Sequence, residues 1–403
     1  MLEGQTNIFE MLYPTYKITK KIRTIELFAG YGSTKLAWNY LGIDVESYKI
    51  CEWAVKSIQA YKDAHFKEDK TDYSKDLTKE QIFEYLTNKG ISSNYNEPMT
   101  SEQVKRLGEE KARTIYNNIK ATHNLVNIQQ VRGEDLEITD VDKYCYIMTY
   151  SFPCQDLSLA GLGKGMEKGS GTRSGMLWEV ERILDECENK PQVLLMENVP
   201  EVIGTNNIKH FAKWLEKLES LGYKCYWKVL NAKDYGIPQN RERCFMVSIL
   251  GDYYYDFPET QKLEIFLDDI CNDELSDVYC KIKNIDLSND STYYYRKLIE
   301  TFDNNNHKLP KYADLYNARP INDNIAGTLS TSCGNNCGCG SFCKIIGNSL
   351  YKLTPKECFR LMGVKDNDFY NIAENQSNAS LYHLAGDSIV VNVLMEIFKE
   401  LLC

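Results

Sequence analysis

Apolar residues recur along this chain in two rhythms. Short β-branched and aromatic runs read as strands: "IRTIELFAG" (Ile22 to Gly30), "SYKICEW" with Glu52 at its end, Tyr144 to Ser151, Pro191 to Asn198, Lys224 to Asn231 and Arg243 to Leu250. Between the fourth and fifth, "IKHFAKWLEKLESLGY" puts Ile208, Phe211, Trp214, Leu215 and Leu218 on one face at helical spacing. Strands alternating with helices predict an α/β fold with a Rossmann-like, doubly wound, mostly parallel sheet. Ligands of such sheets sit at the carboxyl ends of the strands.

Two regions break the alternation. Residues 66–125 are polar and charged, and contain two helix starts, "LTKEQIFEYL" and "MTSEQVKRL", each with a threonine three residues before a glutamine, as in a capping box. This predicts a solvated helical insertion. From residue 252 the composition shifts to Tyr, Asn, Asp and Gly, which predicts a smaller, loop-rich domain over 252–382. After it, "LTPKECFRLMGV" supplies a helix start with proline in the first turn, and residues 383–403 read as an apolar helix returning to the first domain, which spans 1–251.

Composition narrows the class. Among 403 residues, 43% are hydrophobic and 26% charged, ordinary for a globular protein with room for two cores. The start lacks the pattern of a signal peptide, and no apolar run approaches the roughly 20 residues of a membrane span. The expectation is a cytoplasmic protein without a membrane partner. There the 14 cysteines suit buried positions, metal ligands or a nucleophile better than disulfides. The net charge of −10 argues against a nonspecific nucleic-acid coat and leaves room for a local basic cleft.

The chemistry gathers at the strand ends. "FAGYGS" (Phe28 to Ser33) turns on Gly30 and Gly32, without the third glycine of a dinucleotide site or the Lys-Ser/Thr of a phosphate loop. Glu52 at the next strand end can take ribose hydroxyls, and the Trp53 ring can cover an adenine, which suits an adenosine ligand without a pyrophosphate. "TYSFPCQDLSLAG" sets Cys154 in a loop of small residues. The five histidines fall outside every motif-like stretch, so a histidine-assisted thiol is disfavoured. Glu197 in "LLMENVP" and the arginines of "GIPQNRERCFMV" lie at neighbouring strand ends.

These segments, in this order, resemble the DNA (cytosine-5) methyltransferase family of bacterial or phage type, and the likeness covers most of the chain. "FAGYGS" resembles the family's cofactor turn, "SFPCQDLSLAG" its nucleophile loop, "MENVP" its Glu-Asn-Val strand end, and "QNRER" its Gln-x-Arg-x-Arg segment. "LTPKECFRLMGV" and "AGDSIVVNVL" resemble its closing motifs. The resemblance implies a class I methyltransferase fold, with 252–382 as target-recognition domain and hinge.

It also implies roles. Cys154 would add to C6 of a cytosine flipped out of double-stranded DNA, since attack on an aromatic pyrimidine needs a soft nucleophile such as thiolate. S-adenosylmethionine would supply the methyl group and S-adenosylhomocysteine would be left. Glu197 would hold the ring N3 and the exocyclic amine. Arg241, with Arg243 behind it, would hold the cytosine O2 and the nucleophile loop. Carried-over cofactor contacts are Phe28, Gly30, Gly32, Glu52, Trp53, Asp135, Leu136, Pro153, Leu177, Asp387 and Ser388. DNA contacts would be Gln155 and Ser158 in the cysteine loop, and Thr328 and Ser330 beside a glycine-rich recognition loop. A monomer is expected, and a cognate restriction endonuclease is the partner this type of resemblance suggests.

The chain departs from the family where Gly386-Asp387-Ser388 replaces the usual Gly-Asn-Ser, adding a negative charge beside the cofactor carboxylate. Cys333, Cys337, Cys339 and Cys343 lack the paired Cys-x2-Cys spacing of zinc ribbons, so no metal is expected. Two other readings stand beside an active DNA enzyme. One is a tRNA cytosine-5 methyltransferase, the other a catalytically silent DNA-binding module.

Overall fold

The six expected strands form one sheet. In the computed structural model, which describes residues 13–153, 173–272, 281–282, 310–335, 338–346 and 349–402, they are β1 (Lys21–Leu27), β2 (Val45–Cys51), β3 (Tyr144–Tyr150), β4 (Val193–Asn198), β5 (Tyr223–Asn231) and β6 (Glu242–Leu250). Their order is β2-β1-β3-β4-β6-β5. β1, β2, β3 and β4 pair in parallel, whereas β6 runs antiparallel to β4. Only residues 232–241 join β5 to β6, too few for the helical crossover that a parallel neighbour requires. The short connection suits an antiparallel turn-back into β6.

Helices cover both faces because alternate β1 residues point to opposite sides. Ile25 and Leu27 enter a core shared with Leu177, Val180, Ile183 and Leu184 of one helix, Leu177–Glu186, and with Phe211, Trp214 and Leu218 of another, Ile208–Ser220. Between them, Glu26 points the other way and accepts a hydrogen bond from Tyr61 Oη at 2.7 Å. Among the described residues the helices, numbered in chain order, are α1 (Ser33–Tyr40), α2 (Val55–His65), α3 (Lys79–Lys89), α4 (Ser101–Arg106), α5 (Glu109–Ala121), α6 (Leu177–Glu186), α7 (Ile208–Ser220), α8 (Leu267–Ile270), α9 (Pro355–Arg360), α10 (Asp366–Ala373), α11 (Asn378–Gly386) and α12 (Val391–Lys399).

The insertion is helical, with both capping boxes formed at Thr78/Gln81 and Thr100/Gln103. It is also packed rather than merely solvated. Ile82, Leu86, Val104, Ile115 and Ile119 make a second hydrophobic cluster with Ile58 of α2 and Val126, and Trp53 rests against it.

Two compact units divide the chain. The first comprises residues 1–230, 243–259 and 394–403; the second comprises 231–242 and 260–393. These limits differ from the 251/252 and 382/383 boundaries read from the sequence. The segment 231–242 joins the second unit because its backbone pairs there: Asn240 N donates to Ala326 O (2.7 Å) and Ala326 N to Pro238 O (2.9 Å). Tyr- and Asn-rich composition concealed a five-stranded antiparallel sheet in this unit, ordered β7-β11-β10-β8-β9 from β7 (Lys281–Ile282), β8 (Tyr312–Asp314), β9 (Arg319–Ile321), β10 (Phe342–Ile346) and β11 (Ser349–Lys352).

The apolar C-terminal stretch is broken between α11 and α12 rather than one helix. Residues 378–399 have the length and mean hydropathy, 1.3, of a membrane-crossing segment, yet 67% of that window is buried inside the protein, as in a core element.

Candidate active site

The glycine turn is shaped from below. β1 ends at Leu27, and Phe28 follows at φ 59° and Gly30 at φ 57°, with Gly32 at φ 84° as the N-cap of α1. A phenylalanine with positive φ is strained by about 1–3 kcal/mol, a conformation that surrounding structure must enforce. Here Phe28 N and Ala29 N donate to Cys51 O, and Gly32 lies against α2: an added Cβ would sit 2.3 Å from His65 Nε2 and 2.7 Å from the Tyr61 ring. His65 Nε2 donates to Tyr31 O at 2.9 Å, and burial lowers its pKa to about 4, so the imidazole is neutral with its proton on Nε2. Burial likewise pushes Glu26 up to about 7, although the Tyr61 hydroxyl opposes the shift.

At the end of β2, Glu52 accepts from Gly30 N (3.0 Å) and Ala54 N (2.7 Å), and the Asn124 side chain pairs with both its backbone groups. The carboxylate is thereby fixed beside the turn. A Cβ at Gly30 would meet only open space, so the donors and acceptors here suit a ribose held against bare backbone. A carboxylate accepts at about four positions, which accommodates hydroxyls beside two amides. Leu136 and Leu177 are fully buried in the main core, on which Phe28 packs. They are a floor. Asp135 caps its own turn by accepting from Arg132 N at 2.8 Å. The donor set therefore fits an adenosine cofactor.

The candidate catalytic acid stands where β3 and β4 end side by side. Glu197, only 5% exposed, accepts from Ser151 Oγ at 2.5 Å and pairs with Arg243 Nε at 3.1 Å. Its neighbour Asn198 donates from Nδ2 to Phe152 O at 3.0 Å, and turns its own Oδ1 to Val199 N at 2.9 Å. Two consecutive residues of β4 thus hold two consecutive residues leading into Pro153. Cys154, Gln155 and Ser158 lie outside the described residues. Cys244, close to Glu197, is a fully buried thiol pushed up to about 12 by burial and by that carboxylate, and so is inert.

Arg241 is bound to backbone. It belongs to the second unit, is 4% exposed, and donates to Leu329 O (2.7 Å), Ser388 O (2.8 Å) and Gly386 O (3.2 Å). Its guanidinium secures the carbonyls at the end of α11 and the 328–330 loop, while Arg243 meets Glu197. The period of two keeps both arginines on one side, but β6 begins only at Glu242 and Arg241 leaves the sheet. Thr328 Oγ1 donates to Asn240 O (2.9 Å), and Ser330 Oγ to Cys339 O (2.5 Å). Asp387 is exposed, and Ser388 Oγ donates to Ala385 O (3.1 Å). Cys333 and Cys343 are buried and Cys339 exposed, whereas Cys337 is outside the described residues. Among the described residues no group of metal-ligating side chains assembles.

The sequence model of the C-5 cytosine-specific DNA methylase family matches residues 88–403. Type II methyltransferase M2.ScrFI of Lactococcus lactis subsp. cremoris is 35% identical over 94% of this chain and 99% of its own length, and orphan methyltransferase M.SssI of Spiroplasma monobiae is 35% identical over 95% and 98%. The chain belongs to the C-5 cytosine-specific DNA methylase family. It is a DNA cytosine-5 methyltransferase. The fold is also that of the methyltransferase EhMeth of Entamoeba histolytica (TM-score 0.58, 15% identity, 95% of this chain and 98% of that one) and of Spodoptera frugiperda DNMT2 (0.59, 16%, 94% and 99%).

Within this methyltransferase, motif reading missed the residues that hold others. Ser151 and Asn198 sit inside motifs that assign them no role, Asn124 lies in the insertion, and Tyr61 and His65 lie on α2, outside every motif. A small polar residue next to a strand-end acid was the available signal for the first two.

Proposed function

We propose that this methyltransferase acts on a cytosine turned out of a specific double-stranded DNA sequence, through a covalent bond from Cys154 Sγ to C6. The observation that carries the reading is the fixed set at the ends of β3 and β4: Glu197 held by Ser151 and Arg243, with Asn198 holding Phe152 two residues before the nucleophile. Thiolate addition to C6 passes the electron pair of the 5,6 double bond into the ring and makes C5 nucleophilic. Glu197 hydrogen-bonds N3 and the exocyclic amine, and stabilises N3 as it gains proton character. Arg243, beside that carboxylate, supplies donors toward O2. S-adenosylmethionine supplies the electrophilic methyl group. Loss of the C5 proton to water and departure of the thiolate restore the aromatic ring and the free enzyme.

The glycine turn, Glu52 and Trp53 support binding of that cofactor. We take the enzyme to work as a monomer, since one flipped base in an asymmetric cleft requires no second copy. A cognate endonuclease is a partner that the type II relatives' names support and the orphan relative's name does not require. The test is trapping on a mixed-sequence duplex library carrying 5-fluorocytosine, with S-adenosylmethionine present. A denaturation-resistant adduct abolished by Cys154→Ser supports the reading, and the bound DNA reveals the recognition sequence. No adduct, with cofactor binding intact, overturns the covalent route on DNA.

A further inference from the structure

The insertion and the turn carrying Asp135 bound one cavity. It is open, of ≈ 460 Å³, and is lined by Tyr85, Asn88 and Lys89 from the last turns of α3 and by Gln130, Glu134 and Asp135. Its chemistry is mixed. Asn88 and Gln130 offer amide donors and acceptors and Lys89 a cation, while Arg132, also on the wall, lies 3.7 Å from Glu134. Two carboxylates in the lining disfavour a phosphate chain and suit a neutral ring edge bearing both an amine and ring-nitrogen acceptors.

A second observation ties the insertion to Trp53, the residue after Glu52. Ser92 N donates to Trp53 O and Val55 N to Ser92 O, both at 2.8 Å, and Ala54 pairs with Ser92 as a parallel bridge. The Trp53 side chain packs on the insertion's own core. The residue following the ribose-binding candidate Glu52 is therefore held by the insertion through both backbone and ring.

We propose that the helical insertion is part of the cofactor site, with Asn88 and Lys89 taking the adenine edge of S-adenosylmethionine in the cavity that Asp135 also lines. This rests on the reading that Glu52 and Asp135 contact the adenosine. The amine of adenine donates to Asp135, and its ring nitrogens accept from Asn88 Nδ2 and Lys89 Nζ. The insertion thereby couples its own packing to cofactor affinity.

The test is calorimetry of S-adenosylhomocysteine with the full-length protein and its Asn88→Ala and Lys89→Ala variants, both at solvent-accessible side chains. Each is expected to weaken binding by about 3- to 10-fold, the value of one hydrogen bond, with melting temperature and affinity for mixed-sequence duplex unchanged. The wild type should also prefer S-adenosylhomocysteine over S-inosylhomocysteine, whose ring N1 carries a proton and cannot accept from Asn88 Nδ2, and Asn88→Ala should narrow that preference; a purely structural role would leave the ratio alone. Unchanged cofactor affinity in both variants, while Glu52→Gln weakens it, overturns the insertion's role. Loss of duplex affinity with cofactor affinity intact overturns it in favour of a DNA contact. If Glu52→Gln and Asp135→Asn are also silent, the adenosine reading falls with it.

Discussion

Glu197 and Arg243 meet at 3.1 Å at the end of the antiparallel β4–β6 pair, whereas Arg241, two residues earlier, is spent on three backbone carbonyls of its own unit, the second. One arginine faces the carboxylate that would hold the cytosine, and the other holds the polypeptide. Similar side chains in one short motif do different work because the sheet begins between them.

Substitution should separate the two. Arg243→Gln should lower single-turnover methylation by about 100-fold, the typical loss for one electrostatic contact to the reacting group, with little change in cofactor affinity. Arg241→Met should instead lower stability by about 2–4 kcal/mol, because buried carbonyls lose a charged donor. Urea denaturation beside the methylation assay checks both. A stable but inactive Arg241→Met protein would return Arg241 to the front position.

Asn198 gives a test of loop anchoring. Asn198→Asp replaces the donor to Phe152 O with a carboxylate that repels that carbonyl, at about 1–3 kcal/mol. Methylation rate should fall while S-adenosylhomocysteine affinity stays within about twofold, a difference too small to represent a lost hydrogen bond. Equal losses in both quantities would mean that the pair supports the fold in general.

The glycine turn predicts a contrast between two alanines. Gly32→Ala places a Cβ 2.3 Å from His65 Nε2 at φ 84°, whereas Gly30→Ala at φ 57° meets open space. Both pay about 1–2 kcal/mol for the left-handed backbone. Only Gly32→Ala should add the steric term and melt several degrees lower. Gly30→Ala should lose cofactor affinity at nearly constant melting temperature beyond the backbone cost, as measured by calorimetry and thermal unfolding.

Glu26 predicts a pH dependence of stability. Its folded pKa of about 7 lies above the ordinary 4.5 because of burial, so between those values the unfolded chain ionises while the folded chain stays neutral. The unfolded state then binds fewer protons, and stability falls as pH rises through that window, by on the order of 3 kcal/mol in full. Glu26→Gln keeps an acceptor for Tyr61 and should flatten this part of the curve. Unfolding of both proteins at about pH 5 and pH 8 reads the difference; parallel curves would show that Glu26 is ionised in the fold.

Local order along the chain was sufficient for much of this. Alternation of apolar runs specified the six strands, helical spacing specified α7, and the Thr-x-x-Gln pairs specified the starts of α3 and α4, because these depend on neighbours a few residues away. The motif residues Glu52, Cys154 and Glu197 were legible for the same reason, since the chemistry of each is a property of its side chain and its place at a strand end. Pairing across the chain was not legible. Which arginine faces Glu197, why the C-terminal apolar run breaks at Asp387, and why Ser92 holds Trp53 all depend on hydrogen bonds between segments far apart in sequence. The short strands of the second unit were hidden because a strand of three residues carries no period, and only its partners make it one. The sequence by itself determined the kinds of chemistry and the elements that bear them; tertiary structure alone decided which polar groups would satisfy one another, because a buried donor must find its acceptor wherever the fold places it.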